Sequence, residues 1–181
     1  DQRNGNDRWK ESSKIELAQI NEYDTFKDLG HQSSTKPPDG YKKIRVHLVF
    51  AVKHDGRHKA RLVADGHLTD VPLDSVYSGV VSLRGIRMII FLAELNGMET
   101  WAADVGNVYL EAKTSEHVYI IGGLEFAERE GHVLVIYKAL YRLCSSGKMW
   151  AQRFSDCLRE MGFVPSKAEP EIWMRCCGDK W

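Results

Sequence analysis

The stretch Ile44-Arg45-Val46-His47-Leu48-Val49-Phe50-Ala51-Val52-Lys53 alternates with a period of two. Ile44, Val46, Leu48, Phe50 and Val52 fall on one face, and Arg45, His47 and Lys53 on the other. Successive side chains of an extended chain point to opposite sides, so this pattern predicts a strand buried on one face. His54-Asp55-Gly56 follows, and Asp-Gly supplies the positive backbone angles of a tight hairpin turn. The chain then returns through His58 to Asp65, with Ala60, Leu62 and Ala64 facing one way and Lys59 and Arg61 the other. The result is a two-stranded hairpin with a basic face.

Working outward, residues 1 to 30 read as a weakly helical segment, with Trp9, Ser13, Glu16 and Ile20 at helical spacing. His31 to Gly40 reads as a linker, because Pro37-Pro38-Asp39-Gly40 favours a turn. Ser82 is placed to cap a helix running to about Asn96, stopped by Gly97, with Leu83, Ile86, Ile89, Ile90 and Ala93 as its apolar stripe. Met98 to Val105 reads as an extended, buried-type stretch that holds one acid, Asp104. Val118 to Ile121 and Val133 to Tyr137 are short strands. A last helix spans about Gly147 to Met161. Its stripe of Trp150, Phe154, Leu158 and Met161 predicts burial against the sheet that carries Asp104. Glu171 to Cys177 is a final strand candidate. Strands and helices mix without strict alternation, so the fold class is α+β.

Composition narrows the function. Of 181 residues, 43% are hydrophobic and 28% charged, with 25 acids balancing 25 bases. That balance argues mildly against a free-standing nucleic-acid binder but leaves room for a local basic groove. Cys144, Cys157, Cys176 and Cys177 form no Cys-x-x-Cys pair, so reduced thiols in the cytosol or nucleus are expected rather than zinc or disulfides. Asp1 to Lys10 is too polar for a signal peptide, and the apolar run Met88 to Leu95 is too short to span a membrane.

Asp104 is the most suggestive single residue. An acid at the tip of a core strand suits a divalent cation held against a phosphate, while the same position also suits a turn or cap residue. Lys59 and Arg61 share one strand face and are suited to a triphosphate; a solvated strand face is the other reading of them. His47, His54, His58 and His67 are too scattered for a metal cluster.

At Asp104-Val105-Gly106-Asn107-Val108-Tyr109-Leu110 the chain resembles motif A of reverse transcriptases, an acid followed five positions later by an aromatic. Further pieces occur in the order found in polymerases of copia-type LTR retrotransposons. Lys59-Ala60-Arg61-Leu62-Val63-Ala64-Asp65-Gly66 resembles their fingers strand, and Tyr77 to Arg87 the entry to their next helix. Lys138-Ala139-Leu140-Tyr141-Arg142-Leu143, followed by Trp150, resembles motif B. Gly162-Phe163, Lys167-Ala168-Glu169-Pro170 and Ile172 continue the pattern, and Trp9, Glu16 and Asn21 match the leading segment.

The resemblance implies a partial right-hand polymerase fold, with a fingers hairpin and an incomplete palm of antiparallel sheet and packed helices. It divides the chain into a helical segment and linker (1–40), fingers (41–97) and partial palm (98–181). The implied reaction is template-directed nucleotidyl transfer from a deoxynucleoside triphosphate to a primer on an RNA or DNA template. Asp104 would be the catalytic acid and, with the Val105 carbonyl, would bind the two Mg²⁺ or Mn²⁺ ions of the complete enzyme. Lys59 and Arg61 would hold the triphosphate, either being the principal clamp, on the same cleft as Asp104. Tyr109, beside Gly106, would lie under the sugar and exclude a 2′-hydroxyl, and Leu140 and Tyr141 would brace the template base. The remaining palm, thumb and ribonuclease H parts of a polyprotein would be partners.

The chain departs from the family at Gly79, where Pro is usual, at Arg142, where Gly is usual, and at Cys144-Ser145-Ser146-Gly147, where a Lys-Gln-Ala-Pro-like run is usual. The Tyr-x-Asp-Asp sequence that carries the other catalytic acids does not occur in these residues and would be expected soon after Trp181. Two alternatives therefore stand beside a polymerase fragment. One is a catalytically dead retroelement remnant that at most binds nucleic acid. The other is an unrelated α+β binding domain.

Overall fold

The computed structural model describes residues 5–69 and 76–176. The chain divides into two compact units, Asp1–Val76 with Val108–Trp150, and Tyr77–Asn107 with Ala151–Trp181. Both contain helices and sheet, and the class is α+β as the sequence implies.

The first unit is built on the hairpin. β3 (Val46–Val52) and β4 (His58–Ala64) pair antiparallel, with Leu48 opposite Leu62 and Phe50 opposite Ala60. Gly56 closes the turn at φ 80°, a conformation that costs glycine little. Burial deepens away from the turn. Ala60, Leu62 and Ala64 are buried, whereas Phe50 and Val52 at the turn end are exposed.

Helix α1 (Arg8–Glu22) packs on β4 through the stripe Ser12, Glu16 and Ile20, which share one face at four-residue spacing. Glu16 is 7% exposed, and its carboxylate accepts the backbone N–H of Leu62 at 2.9 Å. That N–H points away from β3, on the outer edge of the hairpin, and without a partner it would be an orphaned buried donor.

A four-stranded sheet completes this unit. Its order is β1 (Phe26–His31), β6 (His132–Ile136), β5 (Val118–Ile121), β2 (Lys42–Lys43). The β1–β6 and β6–β5 pairs are antiparallel and β5–β2 is parallel. β1 was not legible in the sequence, where residues 1 to 30 show only a weakly helical segment. The helix stops at Glu22, Asp24 turns at φ 50°, and the polar Phe26–His31 becomes a strand by pairing with β6. Phe26, Val118, Ile120, Leu134 and Ile136 share the core with Ile20, Ile44, Leu62 and Leu140.

In the second unit, Ser82 caps α2 (Leu83–Leu95) by accepting the Gly85 N–H at 3.0 Å, as the sequence indicates. Glu169 accepts from both the backbone N–H and the hydroxyl of Ser82. Gly85 permits the close approach, since a Cβ there would lie 2.5 Å from the Glu169 carboxylate. α4 (Ser146–Glu160) begins in the first unit and continues into the second, and Gly162 ends its turn at φ 83°. A short hairpin of β7 (Val164–Pro165) and β8 (Trp173–Met174) follows. Only this two-residue piece of the expected strand at Glu171 to Cys177 forms, and Cys177 lies outside the described residues.

Two expectations fail here. Met98 to Val105 is irregular rather than a strand, and Trp101 is 85% exposed. An apolar stretch becomes a strand only when its N–H and C=O groups find a neighbour, and no strand among the described residues pairs with this one. The stripe on α4 aligns as its spacing requires but is not buried. Trp150 and Leu158 are half-buried, and Phe154 and Met161 are 41% and 49% exposed. Periodicity orients side chains along a helix; burial needs an opposing surface.

These environments set stability differently. Leu62→Ala is expected to lower unfolding free energy by about 3 kcal/mol, and the exposed Phe154→Ala by less than about 1 kcal/mol, both read from urea denaturation. Burial raises the Glu16 pKa above its ordinary value, opposed by the Leu62 N–H and by Lys59 and Arg61. The folded chain thus holds the Glu16 proton more tightly than the unfolded chain. The stabilisation from Glu16 is full below the ordinary value of 4.5 and is lost as pH rises through the folded value. Glu16→Gln, which keeps the oxygen acceptor, is expected to gain stability relative to the natural chain as pH rises through that window. Glu16→Ala, which orphans the Leu62 N–H, is expected to lose about 1–3 kcal/mol. Urea midpoints of the three chains from acid to neutral pH check both signs.

Candidate functional site

The residues suggested by the sequence separate into two groups. Lys59, Arg61, Tyr109, Leu140 and Tyr141 belong to the first unit, and Asp104, Val105 and Gly106 to the second.

In the first unit Arg61, Tyr109 and Tyr141 come together. Strand β4 presents Arg61 on its charged face, and its guanidinium carbon lies 5.1 Å from the centre of the Tyr141 ring. The Tyr109 ring meets Tyr141 edge-on, with centroids 5.1 Å apart. A cation over a ring and two rings edge to face are each attractive through the ring quadrupole. Helix α3 (Val108–Glu111) positions Tyr109, because the next residue, Leu110, is buried in the core. Tyr141 is held by its main chain. It forms a parallel bridge with Val63, and its carbonyl accepts the Ala64 N–H at 2.9 Å. Burial raises the Tyr141 pKa above its usual value; the Arg61 charge opposes the rise, and Glu16 and Tyr109 add to it. The phenol is therefore a neutral hydrogen-bonding group at physiological pH.

Lys59 is half-buried and, like Arg61, close enough to Glu16 to favour its ionised form. Leu140 is fully buried, so its side chain belongs to the core and only its backbone is available to a ligand. Its carbonyl already accepts the Ser146 hydroxyl at 2.6 Å. Asp104, Val105 and Gly106 are exposed on the irregular segment.

Sequence reasoning missed two supporting side chains. Glu16 was visible as a helical-spacing residue and as a match to the family's leading segment, but not as the partner of a strand edge; an acid flanked by Ser12 and Ile20 on one stripe was the available signal. Glu116 gave no signal. Its carboxylate accepts both the N–H and the hydroxyl of Ser145, at 2.9 and 2.8 Å, at the start of α4.

Two catalytic metal ions about 4 Å apart draw ligands from several acids. Among the described residues no group of three or more His, Cys, Asp or Glu side chains converges to hold a metal, so Asp104 and Val105 do not by themselves fit the two-ion site. Cys144 and Cys157 are free thiols, and no described helix is long and apolar enough to cross a membrane.

Arg142, the departure from the usual Gly in motif B, adopts φ 71°. The left-handed region is costly for a residue with a Cβ. Its carbonyl is pressed toward Gly66, where a Cβ would lie 1.9 Å from the oxygen. The family's glycine thus fits a geometric demand that this chain retains.

Comparison with known proteins assigns the family. Residues 32–181 match the family model described as reverse transcriptase (RNA-dependent DNA polymerase). The chain belongs to that family. Its relatives place it in the copia type. The retrovirus-related Pol polyprotein from transposon TNT 1-94 of Nicotiana tabacum is 25% identical over 174 residues, covering 91% of this chain and 13% of the relative. The Pol polyproteins from transposons RE1 and RE2 of Arabidopsis thaliana are each 28% identical, over 147 and 178 residues, covering 76% and 93% of this chain. They are covered over 10% and 12% of their own lengths, so the chain is a fragment-sized match to each. No solved structure matches the chain.

Arg142→Gly is expected to raise unfolding free energy by about 1 kcal/mol, the left-handed penalty less the entropy that glycine brings to the unfolded chain. The shift in the urea midpoint checks it. A lower midpoint would mean that the arginine side chain makes compensating contacts.

Proposed function

We propose that this chain is the fingers and first palm portion of a right-hand RNA-directed DNA polymerase, acting inside the cell on a primed RNA or DNA template. Residues 1–40 would form the leading segment, 41–97 the fingers and 98–181 the partial palm. The reaction of the complete enzyme joins a primer 3′-hydroxyl to the α-phosphorus of a deoxynucleoside triphosphate, releasing pyrophosphate.

The observation that carries this reading is the Arg61–Tyr141–Tyr109 cluster. Three residues from separate segments, 48 and 32 positions apart, meet in the first unit. They are the residues that the motif resemblance assigns to the triphosphate, the template base and the sugar. Arg61 offers a planar donor fork for phosphate oxygens, and Lys59 a second positive charge. Tyr109, braced edge-on by Tyr141, presents a rigid aromatic surface against which a 2′-hydroxyl would clash. Asp104 is the motif A acid, and the complete site requires the carboxylates that these residues lack.

A second reading is a decayed element that folds but does not polymerise. The strained Arg142 favours it, because a bulky cation stands where the family has glycine.

Primer extension separates the two. The 181-residue chain is expected to extend no primer with Mg²⁺ or Mn²⁺. A longer chain that includes the Tyr-x-Asp-Asp region is expected to extend primers, to lose that activity in Asp104→Asn, and to accept ribonucleotides more readily in Tyr109→Val. Extension by the short chain that vanishes in Asp104→Asn would overturn the fragment reading. A folded but inactive longer chain would support decay, and recovery in Arg142→Gly would locate its cause.

A further inference from the structure

The outer face of the four-stranded sheet carries a feature that the polymerase reading does not use. Strand register places Lys27 opposite Val135, Val135 opposite Tyr119, and Tyr119 opposite Lys43, so these four form one row across β1, β6, β5 and β2. Directly opposed residues in a sheet share a face. Their neighbours Phe26, Ile136, Leu134, Ile120 and Val118 point the other way, into the core. Lys27 and Lys43 are exposed and Tyr119 is half-buried, while Val135 between them is 7% exposed, so solvent meets the lysines and the tyrosine rather than the middle of the row.

Beyond the end of β6 the same region gains Tyr137, 43% exposed, with the Lys113 ammonium 5.1 Å from its ring centre. Lys113 and Lys138 are bridged backbone to backbone. The Tyr137 N–H bonds the Thr25 carbonyl at 2.8 Å, and its own carbonyl accepts from Thr114 at 3.1 Å, so the ring stands on a fixed base. A hydrogen bond with Lys113 holds the Tyr137 phenol below the usual tyrosine range, and the charges of Lys113, Lys138 and Lys27 add to it against the opposing effect of burial. A chain of zero formal net charge thus concentrates cations around an exposed aromatic ring.

We infer that this face, with Lys27, Lys43, Lys113 and Lys138 around Tyr119 and Tyr137, binds single-stranded nucleic acid as a second contact surface distinct from the Arg61–Tyr141–Tyr109 cluster. The lysines meet backbone phosphates, and the tyrosine rings stack on unpaired bases without reading sequence. Aromatic rings set among lysines suit a single strand, whose bases are free to stack, better than a duplex, whose bases are not. In the proposed polymerase the strand is unpaired template, so that assignment rests on the polymerase reading; the binding itself does not.

The test is fluorescence anisotropy on the whole chain with labelled oligo-dT and oligo-U of about 20 nucleotides at about 50 and 200 mM NaCl. Lys27→Glu with Lys113→Glu is expected to weaken binding about tenfold or more and to reduce the salt slope by about 1.4, two phosphate contacts on a single strand. The control pair Lys14→Glu with Lys167→Glu changes net charge equally at exposed positions elsewhere and is expected to shift affinity by less than about threefold. Tyr137→Ala is expected to weaken binding about fivefold and Tyr137→Phe less than about twofold, because the ring stacks in both the natural chain and Phe. Lys43→Glu is an independent arm should reversal at Lys113 disturb its bridge to Lys138, and circular dichroism verifies each fold.

Equal weakening by the two charge-reversed pairs would overturn the proposal, as would undetectable binding by the natural chain at the lower salt. Equal affinity for a blunt duplex, or displacement of the oligonucleotide by poly-glutamate at matched charge, would overturn it in favour of a general polyanion or acidic-protein surface. Equilibrium dialysis with dTTP keeps the two proposals apart. A chain that binds oligonucleotide through Lys27 and Lys113 but binds no triphosphate would count against the polymerase reading and leave this surface standing.

Discussion

The outer edge of β4 is the constraint on which the first unit depends. A two-stranded hairpin leaves one edge of each strand with unsatisfied N–H and C=O groups, and a buried edge must find partners. Here the Leu62 N–H is taken by the Glu16 carboxylate and the Ala64 N–H by the Tyr141 carbonyl. One bond ties down the leading helix and the other ties down motif B. The hairpin therefore gathers segments 46 and 77 residues away in sequence onto a single strand.

The same arrangement has a chemical consequence. Fixing the Tyr141 backbone to β4 sets its ring against Arg61, two residues before Val63, and against Tyr109 from α3. A buried carboxylate on an edge N–H is a costly means of closing the strand, since burial disfavours its charge. It also leaves a negative group whose charge Lys59 and Arg61 favour. Edge satisfaction and the placing of Tyr141 against Arg61 are thus a single packing solution.

The second unit follows a different logic. α2 is well formed and capped by Ser82, yet it buries only Gly85 and Ala93, and most of its large apolar side chains are exposed. Helix formation is local, through the Ser82 cap and the backbone angles at Gly97 and Gly162. Burial is not, and the apolar faces of α2 and α4 exceed the surface that β7 and β8 supply. The strand expected around Asp104 fails for the same reason, because a strand is a relation between two segments rather than a property of one.

What the sequence by itself determined were the locally encoded features. The alternation from Ile44 to Asp65 with Asp55-Gly56 specified the hairpin, Ser82 and Gly97 bounded α2, and the ordered motifs from Lys59 to Ile172 specified the family. Each depends on residues close in the chain or on a pattern legible position by position. Tertiary structure alone decided that Phe26–His31 is a strand, that Glu16 closes an edge, that Tyr141 joins Arg61 to Tyr109, and that Lys27 and Lys43 share a face with Tyr119. These are pairings between distant segments, and their energy lies in satisfying buried backbone groups and matching registers. Neither quantity is carried by any single stretch of sequence, so each becomes visible only when the chain is folded.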